Sequence, residues 1–230
     1  MKDRRGTIRR KPKVAGYPNG ADAPLRATEL ALQRAGAAQA LVLVEGISDQ
    51  IAVEVAAGRL GRDLGAEGVV VLPAGGVGSI GALAARFGTA GVGLPLVGLC
   101  DAAEVDWVCR ALIKAGIGVA RDRDGLAGLG FFVCDRDLED EMIRALGMQQ
   151  VEAVLAAGGD LAAFRTLQRQ GAWREAGFAD QVRRFLGAGA RRKLRYAGVF
   201  TGAVALERMP APLVAVLAAL PGLRAGPVLV

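Results

Sequence analysis

The chain has 230 residues, of which 52% are apolar, and a mean hydropathy of +0.32, which excludes a disordered protein and allows one compact domain with a helical appendage. Its formal charge of +6 and pI near 9.7 favour polyanionic partners. It contains no histidine, which removes Ser-His-Asp and Cys-His catalysis and histidine-ligated zinc, and leaves carboxylates, Lys, Arg and Cys to carry any chemistry.

The first segment, residues 1–27, reads as a basic mobile tail. Lys2, Arg4, Arg5, Arg9, Arg10, Lys11 and Lys13 face only Asp3, and Gly16, Pro18, Asn19, Gly20 and Pro24 follow without an apolar period. No apolar h-region follows the basic run, and the stretch from Pro212 to Leu220 is too short to span a bilayer, so a cytoplasmic location without membrane contact is expected. Cys100, Cys109 and Cys134 form no CxxC pair and sit in apolar settings, as buried thiols do in a reducing compartment.

A short helix is expected from Thr28 to Ala35. Leu41-Val42-Leu43-Val44 then reads as a strand buried on both faces, the signature of a parallel sheet covered by helices. It ends in Glu45, a Gly46 turn, and a helix from Asp49 to Leu60 with Ser48 as its N-cap. Val69 to Leu72 is a second strand, followed by a glycine turn at Gly75 to Gly78 and a helix to Phe87. Leu94 to Cys100 is a third, ending at Asp101 with Glu104 close behind. Phe131 to Cys134 is a fourth, followed by Asp135, Asp137, Glu139, Asp140 and Glu141. Three of the four strands therefore end in carboxylates along one sheet edge. After Gly147 the strand signals stop, and helices are expected near 148–157, 160–169, 179–187, 190–206 and 211–220.

The fold class is thus α/β, a mostly parallel sheet flanked by helices over residues 28–147, then a helical C-terminal subdomain over 148–230. Clustered carboxylates without histidine suit hard cations, so Mg²⁺ or Mn²⁺ is the expected metal. Such sites commonly act on phosphate esters, with a cation such as Lys193 offsetting charge that develops on the phosphoryl group. Arg191, Arg192, Lys193 and Arg195 form a basic cluster suited to nucleic acid. A competing motif, Gly76-Val77-Gly78-Ser79-Ile80-Gly81, spells GxGxxG between a strand and a helix, with Asp101 about 20 residues on, and points to dinucleotide binding. No GxxxxGK[ST] occurs, so the chain carries no P-loop of its own.

Val44-Glu45-Gly46-Ile47-Ser48-Asp49, Ala74-Gly75-Gly76, Gly98 to Glu104, Phe131 to Cys134, Asp137 to Glu141 and Arg192 to Ala197 occur in an order that resembles a TOPRIM domain, and more narrowly the TOPRIM half of the OLD (overcoming lysogenisation defect) family of nucleases. The resemblance implies a metal-dependent phosphodiesterase acting on DNA, an endonuclease. Glu45 and Asp49 would form its first acidic motif, Asp101 its second and Glu139 its third, with Lys193 at the C-terminal basic position. Glu45, Asp101 and Lys193 are then the catalytic candidates, and Glu45, Asp49, Asp101, Glu104 and Glu139 the metal ligands.

Two departures stand out. The usual DxD is Asp101-Ala102-Ala103-Glu104 here, so Glu104 substitutes for the second acid, or Asp135-Arg136-Asp137 supplies the motif. Full OLD proteins also carry an ATPase, which implies that the chain acts alone, works with an ATPase partner in trans, or is a fragment. A homodimer is a candidate assembly. The alternative readings are a non-catalytic nucleic-acid-binding or partner module with a degenerate site, and a dinucleotide-binding protein.

Overall fold

A computed structural model describes residues 16–18 and 20–220. The basic run from Lys2 to Lys13, expected as a mobile tail, lies outside the described residues. Within the described part of that segment, helix α1 spans Ala23–Ala35 and starts earlier than the expected Thr28, because Pro24 lies in its first two positions, where a missing N–H costs nothing. One face of α1 is an alanine stripe (Ala23, Ala27, Ala31 and Ala35, all buried) that lets the helix lie close to the sheet. The Thr28 hydroxyl ties it there by donating to the Pro73 carbonyl at 2.8 Å.

Among the described residues the sheet has four strands: β1 (Ala40–Val44), β2 (Val69–Pro73), β3 (Leu96–Asp101) and β4 (Phe131–Cys134). All pair in parallel, in the order β2-β1-β3-β4. Each β1 residue is buried: Val42 and Val44 face one apolar layer, Leu41 and Leu43 the other. The uninterrupted apolar run has this cause, since neither face meets water.

One layer is made by α1, α3 (Ile80–Phe87), α4 (Val105–Lys114) and α5 (Arg123–Gly128). The opposite layer contains α2 (Ile47–Arg59) and the C-terminal helices α6 (Leu138–Ala157), α7 (Leu161–Gln168), α9 (Phe178–Gly187), α10 (Ala190–Ala203) and α11 (Ala211–Ala218), with the single turn α8 (Gly171–Arg174) beside them. The C-terminal helices share one core with the sheet face. Phe200, Leu213 and Val216 pack in the same cluster as Val42 and Val71.

Two details differ from the expected elements. Gly46, not Ser48, is the N-cap of α2, and Asp49 at the third helical position accepts the Gly46 N–H at 3.0 Å. Helix α6 begins at Leu138 rather than near 148; its Gly147 has φ 74°, a conformation only glycine adopts freely, so two helices run in sequence across a break. The short α5 and α8 carried too little periodicity to be read.

Strand β3 needs a glycine at position 98. A Cβ there would lie 2.6 Å from the Phe131 ring and 2.9 Å from the Leu43 carbonyl oxygen. Gly98→Ala is therefore expected to destabilise the protein by about 1–3 kcal/mol, measured as a lower midpoint in urea unfolding.

Candidate functional site

Strand order reverses between β1 and β3, the place where open parallel sheets leave a crevice at their carboxyl ends. Glu45 follows β1 and Asp101 closes β3, so the two acids flank that crevice. A short 3₁₀ turn, Ala102–Glu104, brings Glu104 back beside them. Glu45, Asp101 and Glu104 each offer a carboxylate oxygen, and the three oxygens lie within 4.8 Å of one another.

A hard cation holding oxygens at about 2.0–2.6 Å requires donors no more than about 5 Å apart, so the trio fits one. Glu104 also has an oxygen, Oε2, that is buried without a hydrogen-bond partner, as expected of a side chain built to meet a cation. The turn thus places the Glu104 carboxylate with those of Glu45 and Asp101, where Ala103 has no oxygen to offer.

The glycine turn after β2 supports this edge. Gly75 and Gly76 have φ of 75° and 123°, and the Gly76 N–H donates to the Glu45 carbonyl at 3.0 Å. This N–H is spent on fixing the backbone that carries Glu45. Gly81 serves packing, since a Cβ there would sit 3.1 Å from the Ala111 Cβ on α4. Gly76 and Gly81 of the GxGxxG pattern thus have structural uses, and Asp101, the acid a dinucleotide site would claim, belongs to the carboxylate trio.

A cavity of about 260 Å³ opens on the same edge, bordered by Glu45, Asp49, Asp101, Asp137, Glu139 and Lys193. Lys193 reaches in from α10, its Nζ 3.9 Å from Glu139 Oε2 and its side chain 50% exposed. The sequence therefore brought Glu45, Asp49, Asp101, Glu139 and Lys193 to one cavity, with Glu104 beside them. Asp137 was read as one of the acids after the fourth strand and as part of the alternative DxD, not as a ligand in the main reading. Its carboxylate caps α6 by accepting the Asp140 N–H at 2.8 Å and pairs with Arg183. The other acid of that pattern, Asp135, is exposed and held outward by Arg123 and Arg144, so Asp135-Arg136-Asp137 does not supply a paired motif here.

The basic cluster divides. Arg195 pairs with Asp160 and donates to the Tyr196 hydroxyl, while Arg192 lies over the Phe185 ring and donates to the Phe185 carbonyl at 2.7 Å. These guanidiniums fasten α10 to its neighbours. Arg191 and Lys193 are the cluster's exposed members.

Crowding raises the acids' affinity for protons. Burial, then the charges of Asp49, Asp137, Glu45 and Glu104, push Asp101 up to about 8. Burial likewise pushes Glu139 up to about 7 and Asp49 up to about 6, against the opposing pull of Lys193. Glu104 is raised by burial and by Glu45.

For acids whose folded pKa exceeds the unfolded value, the folded state binds more protons, so stability falls as pH rises from about 4 through the folded values. Metal-free protein should therefore melt at a lower temperature at pH 8 than at pH 6. Added Mg²⁺ should raise the melting temperature more at pH 8, where the ligands are ionised. Thermal melts in EDTA and in Mg²⁺ at the two pH values check this; equal Mg²⁺ shifts at both would contradict it.

Residues 38–102 match the family model described as "Overcoming lysogenization defect protein-like, TOPRIM domain", the resemblance that the ordered motifs gave. No curated protein matches the chain in sequence. Solved structures similar to it include the C-terminal region of the Xanthomonas campestris pv. campestris OLD protein, at 23% identity and a TM-score of 0.60, covering 79% of this chain and 94% of that one. The C-terminal region of the Burkholderia pseudomallei OLD protein is also similar, at 20% identity and a TM-score of 0.60, covering 79% and 96%. These likenesses establish the fold: a parallel sheet flanked by helices, with a helical C-terminal part.

Proposed function

We propose that the chain is a Mg²⁺- or Mn²⁺-dependent phosphodiesterase acting on DNA. The observation that carries this reading is the trio of carboxylate oxygens of Glu45, Asp101 and Glu104, within 4.8 Å of one another at the switch point of a parallel sheet. The match of residues 38–102 to an OLD-like TOPRIM domain supports it.

Glu45, Asp101 and Glu104 would hold the cation, with Asp49 and Glu139 completing the oxygen set from α2 and α6. When bound, the cation supplies Lewis-acid charge and lowers the pKa of a coordinated water. The chain's own residues do the rest. The backbone contact from Gly76 fixes the main chain that carries Glu45. Lys193 brings a positive charge to the open side of the cavity, where it offsets charge developing on the non-bridging oxygens of the scissile phosphate. Its stem rises from a helix locked in place by Arg192 and Arg195, which holds that charge in position.

In this reading the partners are DNA and an ATPase supplied in trans, and a homodimer is the candidate assembly. Among the described residues no helix is long and apolar enough to cross a membrane, and we place the activity in the cytoplasm.

Purified protein should nick supercoiled plasmid in Mg²⁺ or Mn²⁺ and not in EDTA, and Glu45→Gln should abolish nicking. Wild-type rates in that variant would sink the proposal. Absence of nicking by folded wild-type protein, alone or with an ATPase, would leave a binding module in its place.

A further inference from the structure

Helices α3 and α4 follow β2 and β3 from the carboxylate edge and pack against each other. The close approach of Gly81 to Ala111 leaves a shallow groove between them, of about 530 Å³. Its floor is made of small side chains, and its α4 wall carries Trp107, Arg110 and Lys114. Arg110 and Lys114 are exposed, Trp107 is half-buried, and no carboxylate lines the groove among the described residues.

One end of the groove is linked to the candidate site through the chain. Gly78 lies two residues beyond Gly76, which is bonded to Glu45, and Trp107 lies one helical turn beyond Glu104. The three wall residues are spaced three or four apart and so share one face of α4. The two cations are separated by about 6 Å along the helix axis, comparable to the step between successive phosphates of a nucleic-acid strand.

We propose that this groove takes a single-stranded stretch of nucleic acid leading to or from the carboxylate edge. Phosphates lie on Arg110 and Lys114, and an unpaired base stacks on the Trp107 indole. This rests on the phosphodiesterase reading for its choice of polyanion. Two considerations favour a single strand over a duplex. Closely packed helices have axes only about 8–10 Å apart, which leaves a trough too narrow for a double helix. A flat indole flanked by cations is also the combination that recognises unpaired bases without regard to sequence. The glycines of the GxGxxG pattern that fixing Glu45 does not use, Gly78 and Gly81, form the α3 side of the trough.

The test is fluorescence anisotropy of a labelled single-stranded oligonucleotide with wild-type protein in EDTA, where cleavage cannot interfere. Arg110→Glu/Lys114→Glu should weaken binding at least about tenfold, and the log–log salt slope should become shallower by about 1.4 for two lost phosphate contacts. Trp107→Ala should weaken binding about tenfold with the salt slope unchanged. Thermal melts establish that each variant is folded. Unchanged affinity in the folded charge-reversal variant overturns the proposal. So does unchanged affinity together with a change in sedimenting mass, which would make the groove a contact between copies of the chain. The two readings fail separately: binding that depends on the groove without plasmid nicking defeats the phosphodiesterase and keeps the groove, while nicking with groove-independent binding does the reverse.

Discussion

Asp101→Asn is expected to lower metal-dependent cleavage by on the order of 10²–10³-fold and, in the same protein, to raise the melting temperature of the metal-free form. The two effects share one cause. Asp101 sits among Glu45, Glu104, Asp49 and Asp137, and burial together with those charges holds its pKa at about 8. Folding without a cation must concentrate these acids, so removing one ionisable member relieves repulsion. The same substitution takes away an anionic ligand that no neutral amide replaces at equal strength. Nicking assays and melts in EDTA measure both quantities. A variant that lost activity and also melted lower in EDTA would show that Asp101 is held mainly by structural contacts, against the strained cluster described above.

Arg195→Met should cost about 3–5 kcal/mol of stability, the largest structural effect expected here. Asp160 is only 2% exposed, its carboxylate paired with Arg195 and accepting the Tyr196 hydroxyl at 2.9 Å. Removing the guanidinium takes from a buried anion the countercharge that Arg195 supplies. A second change, Asp160→Asn, should recover much of the loss, because the charge that required compensation is then absent. Urea unfolding of the single and double variants checks this. A loss below about 1 kcal/mol in Arg195→Met would mean that the pair behaves as an exposed one.

The strands were legible because residues buried on both faces must be apolar without alternation, and Leu41 to Val44, Val69 to Leu72 and Phe131 to Cys134 fall on or within the observed strands. The acids after them were legible for a related reason: each interrupts such a run at a sheet edge. What sequence could not convey was direction. Lys193 and Arg195 are two residues apart on one helix, yet the first reaches the acidic cavity and the second turns to Asp160. Asp135 and Asp137 divide in the same way, because Arg123 and Arg144 draw the first outward while α6 needs the second as its cap. Glu104 was named as a substitute for an acid at position 103, and only the 3₁₀ turn shows how its carboxylate comes back to the trio.

The shared core of sheet and C-terminal helices bears on how the chain is made. Helix α11 packs on β3 and β4, its Leu213 and Val216 sharing one core with Val97 and Leu99, and it leaves the ribosome long after the strands do. A nascent chain that has emerged only as far as Gly147 carries the four described strands and the acids of the cavity, but neither its lysine nor the part of the sheet cover that α7 to α11 supply. Such an intermediate leaves apolar sheet surface exposed, the condition under which incompletely folded chains aggregate. Synthesis must run through α10 before the acids face a completed cavity, whose lining extends to Phe200.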